Sequence, residues 1–173
     1  MNPLTIFGVQ PLIRFANILL AGLIVGTLFG IWLGFNPAGL TASAYVEQQQ
    51  NAIRALNVTM PILGAICIVL TITHAFLVRS SRAVFYLLLV GVIFLIVAGL
   101  VTRFGNQPIN ANVITWLASA PPSSWMEARD QWWTWHIVRT LAGVAGFVCI
   151  VAASVNPTTR CAATVTERSS NSA

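Results

Sequence analysis

Residues 60–102 read MPILGAICIVLTITHAFLV, then RSSR, then AVFYLLLVGVIFLIVAGLVT. The two uncharged runs, residues 60–78 and 83–102, each have the length a helix needs to cross the roughly 30 Å hydrocarbon core of a bilayer. Only Arg79, Ser80, Ser81 and Arg82 separate them, and so short a connector joins antiparallel neighbours. The stretch is therefore read as a transmembrane hairpin. Thr59 and Pro61 stand where a helix start tolerates a cap and a first-turn proline.

Upstream, residues 15–35 form another uncharged run of twenty-one residues, set between Arg14 and the turn-forming Asn36-Pro37-Ala38-Gly39. A secretory signal is the rival reading, since Ala42-Ser43-Ala44 imitates a cleavage site, but the apolar core is longer than such signals carry. Downstream, residues 140–155 supply only sixteen uncharged positions, or about 24 Å of helix. The last helix is thus expected to begin near His136 and to carry His136 and Arg139 into the membrane boundary. Composition agrees: of 173 residues, 57% are hydrophobic and 8% charged, and the mean hydropathy is +0.79. The expected architecture is an all-α integral membrane four-helix bundle over residues 1–155, with spans at 15–35, 60–78, 83–102 and 136–155. An interfacial helix on the outer face and a structured loop fill the outer segments 36–59 and 103–135, and residues 156–173 read as a disordered cytoplasmic tail.

All nine cations are Arg, and they are scattered at the edges of apolar runs rather than clustered as a nucleic-acid binder would have them. Arg14, Arg79, Arg82, Arg160 and Arg168 fall on one side and Arg54, Arg103, Arg129 and Arg139 on the other. The tight Arg79/Arg82 connector, to which the positive-inside rule applies, places both termini in the cytoplasm, with the protein in the plasma membrane or bacterial inner membrane. Cys67, Cys149 and Cys161 form no CxxC, which removes a thiol reductase. No acidic or basic residue lies near the middle of a span, which argues against an ion-coupled exporter and against a pore. Gly22, Gly26, Gly30 and Gly34 recur every four residues and define one helix face. Close packing within the chain is the plainer use of that ridge; a homo-oligomer seam and a groove wall for a flat ligand stay open.

The outer segments hold most of the chemistry. Residues 45–56 suit an amphipathic helix whose Tyr45, Ala52, Ile53 and Leu56 face the membrane surface, as a cover or as a plain solvated helix. From residue 125 onward, Trp125, Arg129, Trp132, Trp133, His136, Arg139 and Thr140 recur at three- and four-residue intervals and so share one helix face. An aromatic belt with snorkelling Arg is one reading. The other turns His136 and Arg139 into the bundle, because facing lipid would be costly, and brings them to Asn106 and Asn110 in a pocket for a flat lipophilic molecule.

At these residues the sequence resembles the anthrone oxygenase-like family of small four-span membrane proteins. The resemblance rests on Asn106-Gln107-Pro108-Ile109-Asn110 and on Trp125-x3-Arg129-x3-Trp133-x2-His136-x2-Arg139-Thr140, with Gln48 to Leu56 and Met60-Pro61 less distinctive. It implies an enzyme that oxidises an anthrone-like ketone with molecular oxygen without metal or flavin. On that basis His136 is the expected general base, Arg139 and Arg129 with Asn106 or Asn110 the oxyanion donors, and Trp125, Trp132 and Trp133 the stacking surface. No metal site is expected, since His74 and His136 are the only histidines and His74 lies deep in its span; a haem held by a single His stays open. His74 itself is expected to bond to a Thr or a carbonyl of a neighbouring helix. A noncatalytic lipid-binding or accessory subunit is the alternative function. Asn57-Val58-Thr59 fits the glycosylation pattern.

Overall fold

The computed structural model describes residues 3–156, with side chains from Gly8 onward; the expected tail beyond Asn156 lies outside the described residues, as do Arg160, Cys161 and Arg168. Six α-helices follow in order: α1 (Pro3–Gly34), α2 (Ala42–Leu56), α3 (Thr59–Leu77), α4 (Arg82–Val101), α5 (Gln107–Val113) and α6 (Trp125–Val155). Among the described residues, four helical stretches are long and apolar enough to cross a membrane: Gly8–Gly39, Thr59–Leu77, Arg82–Val113 and Trp125–Val155. The chain is an all-helical membrane bundle, and its hairpin is α3 and α4. Around the bundle the order is α1, α3, α4, α6, with α4 and α6 sharing the most extensive face.

Three boundaries differ from the sequence expectation. Helix α1 starts well before residue 15, so Arg14 lies inside a helix rather than ahead of one. The segment 103–135, expected as a loop, is mostly helix, because α4 continues through a π-turn at Thr102–Asn106 into α5. Pro108 explains the turn: its ring crowds the carbonyl four residues back and it donates no hydrogen bond, and a π-turn just ahead of it absorbs both defects without ending the helix. Finally, α6 begins at Trp125, and its 31 residues extend about 46 Å, well beyond the hydrocarbon thickness. The α5 and α6 extensions leave the bundle at the same end and provide the wall on which α2 rests.

Helix α2 enters through two local devices. Asn36 accepts from the Ala38 amide at 3.0 Å ahead of a short 3-10 turn at Pro37–Gly39, and Thr41 caps the helix by accepting from Ala44 at 3.4 Å. Its apolar face was expected on the membrane surface. Instead Tyr45, Val46, Gln49 and Ile53 are buried against the bundle, because the exposed extensions of α5 and α6 offer a nearer apolar partner.

Of the α1 glycine ridge, Gly22 meets another helix, a Cβ there lying 3.6 Å from the Phe147 ring of α6. Gly26, Gly30 and Gly34 are exposed, and a Cβ on any of them would meet nothing within 4 Å. Close approach occurs between α4 and α6, where a Cβ on Gly91 would lie 3.3 Å from the Gly146 carbonyl and one on Gly146 would lie 3.2 Å from the Gly91 carbonyl. Replacing Gly91 by Leu is expected to destabilise the bundle by about 1–3 kcal/mol through overpacking, whereas Gly30→Leu leaves thermal unfolding in detergent near that of the parent.

Candidate active site

The stripe on α6 faces inward from its second turn. Trp132, His136 and Thr140 are 6%, 0% and 0% exposed, which decides against a lipid-facing aromatic belt at these positions. The His136 ring lies parallel to Trp132, 5.2 Å between centroids, and close to Trp133 at 5.5 Å. Its Nε2 sits 3.1 Å from the Leu28 carbonyl on α1, and its Nδ1 sits 3.2 Å from Nε and 2.9 Å from Nη2 of Arg139. These partners determine the tautomer. A guanidinium only donates and a carbonyl only accepts, so Nδ1 carries the lone pair and Nε2 carries the proton that it donates to Leu28.

Both nitrogens of this imidazole are therefore engaged, and the ring is neutral. A proton can reach Nδ1 only when the Arg139 guanidinium moves off it. What the ring does is aim Arg139. The guanidinium rests with its carbon 5.6 Å from the Trp132 ring centre. Among the described residues the one ion pair is Arg129 with Asp130, at 2.8 Å, so Arg139 has no carboxylate partner there.

A cavity of about 540 Å³ opens beside Arg139, within the size range of small-molecule sites. Helix α2 covers it, with Gln48, Gln49, Ala52 and Leu56 facing in. Asn57, Met60, Thr102, Asn110 and Trp132 close other sides, and Leu28 and Ile31 of α1 line one flank. The cavity thus lies beneath α2, between α1, the start of α3, Asn110 of α5 and α6.

Of the expected site residues, Asn110, Trp132 and Arg139 reach this space. Asn110 is its polar hub: its Oδ1 accepts from Trp132 Nε1 at 2.9 Å and from Gln49 at 3.2 Å, while its Nδ2 donates to Asn57 Oδ1 at 2.9 Å. Asn57 is therefore held at the cavity rather than presented on an open loop as a glycosylation acceptor. Asn106 stands behind the wall, buried, donating to the Trp132 carbonyl at 3.0 Å; it meets neither His136 nor Arg139. Trp133 backs the imidazole. Arg129 and Trp125 lie farther out, the guanidinium 5.1 Å above the indole and its Nη1 3.5 Å from the Ala38 carbonyl, so they fasten the end of the bundle and do not line the cavity. Trp125 also lies tilted against Tyr45, whose phenol is buried without a partner and is pushed up to about 12 by that burial.

Sequence reasoning missed Gln49, Gln50 and Thr102. Gln49 had a signal: it falls four residues from both Tyr45 and Ile53, a polar side chain in the middle of an apolar face. Gln50 grips the end of α5, its Nε2 lying 3.0, 3.4 and 2.8 Å from the carbonyls of Val113, Ile114 and Trp116. His74, expected to be satisfied by a neighbouring helix, is buried with Nδ1 unpartnered. Among the described residues no three His, Cys, Asp or Glu side chains come together as a metal site requires.

A family model described as anthrone oxygenase matches residues 49–149, more than half of the chain. The chain belongs to the anthrone oxygenase family. The matched region runs from Gln49 on the cover into α6 and contains Asn110, Trp132, His136 and Arg139; the α1 flank with Leu28 lies outside it. No curated protein and no solved structure matches the chain.

In this family member the Asn110 hub joins cover, wall and indole, so Asn110→Leu is expected to leave several buried amide groups unpaired. A loss of about 2–3 kcal/mol in stability follows. Amide hydrogen exchange should accelerate in α2 and stay unchanged in the second half of α6.

Proposed function

We propose that this chain is an oxygenase for a flat, lipophilic aromatic ketone of the anthrone type, with Arg139 as the group that stabilises the oxyanion. The observation that carries the reading is the Arg139 guanidinium: it lines a largely apolar cavity, is oriented by a neutral imidazole, and has no carboxylate partner among the described residues. A half-buried charge without a counterion is held at a cost in solvation. A ligand that becomes anionic offsets that cost.

Such a ketone gives up a proton from the CH₂ opposite its carbonyl, and the negative charge moves to the oxygen, where Arg139 donates to it. No carboxylate lines the cavity, so the proton leaves to water at its mouth. The electron-rich carbon then transfers an electron pair's worth of density to molecular oxygen in a new C–O bond, and protonation gives a hydroperoxide. Loss of water breaks the O–O bond and the remaining C–H, leaving a second carbonyl. One ketone and one dioxygen thus give one quinone and one water, with oxygen as the sole oxidant.

Trp132 supplies a flat wall beside the ring system. His136 is a positioning residue here, because it acts on the substrate only through Arg139. Asn110 and Gln49 hold Trp132 and the cover. The matched family supports this assignment of reaction class, and a cationic Arg139 held by a neutral His136 supports the anion-binding role.

Arg139→Met in purified protein reconstituted in lipid is expected to lower anthrone-dependent oxygen uptake by about a hundredfold or more. His136→Leu should reduce kcat more than it raises KM, and His136→Gln, which restores an acceptor for Arg139, should recover part of the rate. Arg129→Gln leaves the rate near that of the parent. An unchanged rate in correctly folded Arg139→Met would overturn the reading.

A further inference from the structure

A second cavity of about 260 Å³, no more enclosed than the first, is lined by residues of α1, α3, α4 and α6. It shares Leu28, Met60, Pro61, Thr102 and Arg139 with the covered cavity, so Arg139 stands at the junction of the two. Along α1 its wall runs from Leu28 to Ala21, a depth of about 10 Å. The polar side chains of its lining other than Cys67 come from the α4–α5 junction, namely Thr102, Arg103 and Gln107, and from the middle of α6, namely Arg139. The rest of the wall is aliphatic.

Two glycines line this cavity, the half-buried Gly64 of α3 and the exposed Gly99 of α4, and a Cβ built on either meets no heavy atom within 4 Å. An apolar void forfeits the dispersion contacts that a larger side chain would make there. Water is a poor occupant, because it needs two to four polar partners and most of this wall has none to give. An apolar chain attached to a molecule already held at Arg139 meets both requirements, since its polar end satisfies the guanidinium and its chain restores the contacts.

We infer that the substrate carries an alkyl or alkenyl chain of several carbons on its ring system, and that the inner cavity is the specificity pocket for that chain. The inference rests on the reading of Arg139 as the oxyanion site. A bilayer is as apolar as the pocket, so a chain that leaves lipid for protein gains little affinity from burial itself. Its contribution is orientation: with the chain seated below Arg139, the ketone oxygen is held against the guanidinium instead of sliding within a cavity wider than the ring. Discrimination therefore falls on kcat/KM.

The test compares anthrone with anthrones bearing a ring-linked methyl, propyl or hexyl chain, measured as oxygen uptake by the full chain in lipid nanodiscs. In the parent, kcat/KM rises with chain length, by about tenfold or more from anthrone to the hexyl compound. Gly64→Leu and Gly99→Leu abolish that preference and leave anthrone itself within about twofold, with thermal unfolding unchanged; Gly64→Ala gives an intermediate loss and covers the case of a Leu variant that fails to fold. A parent indifferent to chain length, or variants that lower all four substrates equally, would overturn the inference.

Failure of the underlying reading has a different signature, in which no anthrone is oxidised by the parent. The rate at which a maleimide labels a Gly64→Cys variant then decides the pocket by itself. Protection by the hexyl compound that anthrone does not give sustains it, and equal labelling with both removes it. Native mass spectrometry that finds a phospholipid retained in the presence of the hexyl compound assigns the space to lipid and also removes it.

Discussion

A fixed positive charge inside a membrane bundle constrains everything near it. Arg139 keeps its proton under all ordinary conditions, so the fold must either supply an anion or leave the guanidinium facing space where one can come. Among the described residues no carboxylate approaches, and the neighbours that do approach are neutral: an imidazole, an indole face and cavity. His136 can serve because its other nitrogen donates to the Leu28 carbonyl, which holds the ring in the tautomer that Arg139 needs. One carbonyl on α1 thereby determines how a cation on α6 is presented. The arrangement couples the helix outside the matched family region to the residues within it.

The cover follows from the same constraint. A charge opened directly to water would lose most of its electrostatic reach, whereas beneath an apolar lid it acts in a medium of low dielectric. Helix α2 supplies that lid because α5 and α6 extend beyond the membrane-spanning length and give its apolar face something to rest on. The π-turn before Pro108 is what lets the α4 helix continue far enough to do so.

Much of this was legible in the residues and some was not. The four spans follow from long uncharged runs, whose length has one physical meaning. The inward turn of His136 and Arg139 was legible because a cation so deep is expensive against lipid. The continuation of α4 was hidden, since asparagines, a glycine and a proline in close succession carry the composition of a loop, and only the spacing between Phe104 and Pro108 points to a π-turn. The use of the α1 ridge was hidden for a related reason: small residues permit close approach but do not require it, and within the chain two glycines meet at Gly91 and Gly146. Asn106 and Asn110 were singled out together, and a regular α-helix would put residues four apart on one face, but Asn106 belongs to the wider π-turn. Asn110 reaches the cavity, and Asn106 donates to the Trp132 carbonyl with its Oδ1 left unpartnered.

The bonds joining α2 to α5 are made by Gln49, Gln50 and Asn110, with Asn57 at the end of α2 completing the set; each is a carboxamide or a backbone carbonyl. None of these groups gains or loses a proton between mildly acidic and mildly alkaline conditions, and none is an ion whose attraction a dissolved electrolyte would weaken. A clasp of this kind stays shut across swings in acidity and ionic strength that would open one built from carboxylates and guanidiniums. It yields instead to agents that compete for amides, urea among them, and to heat.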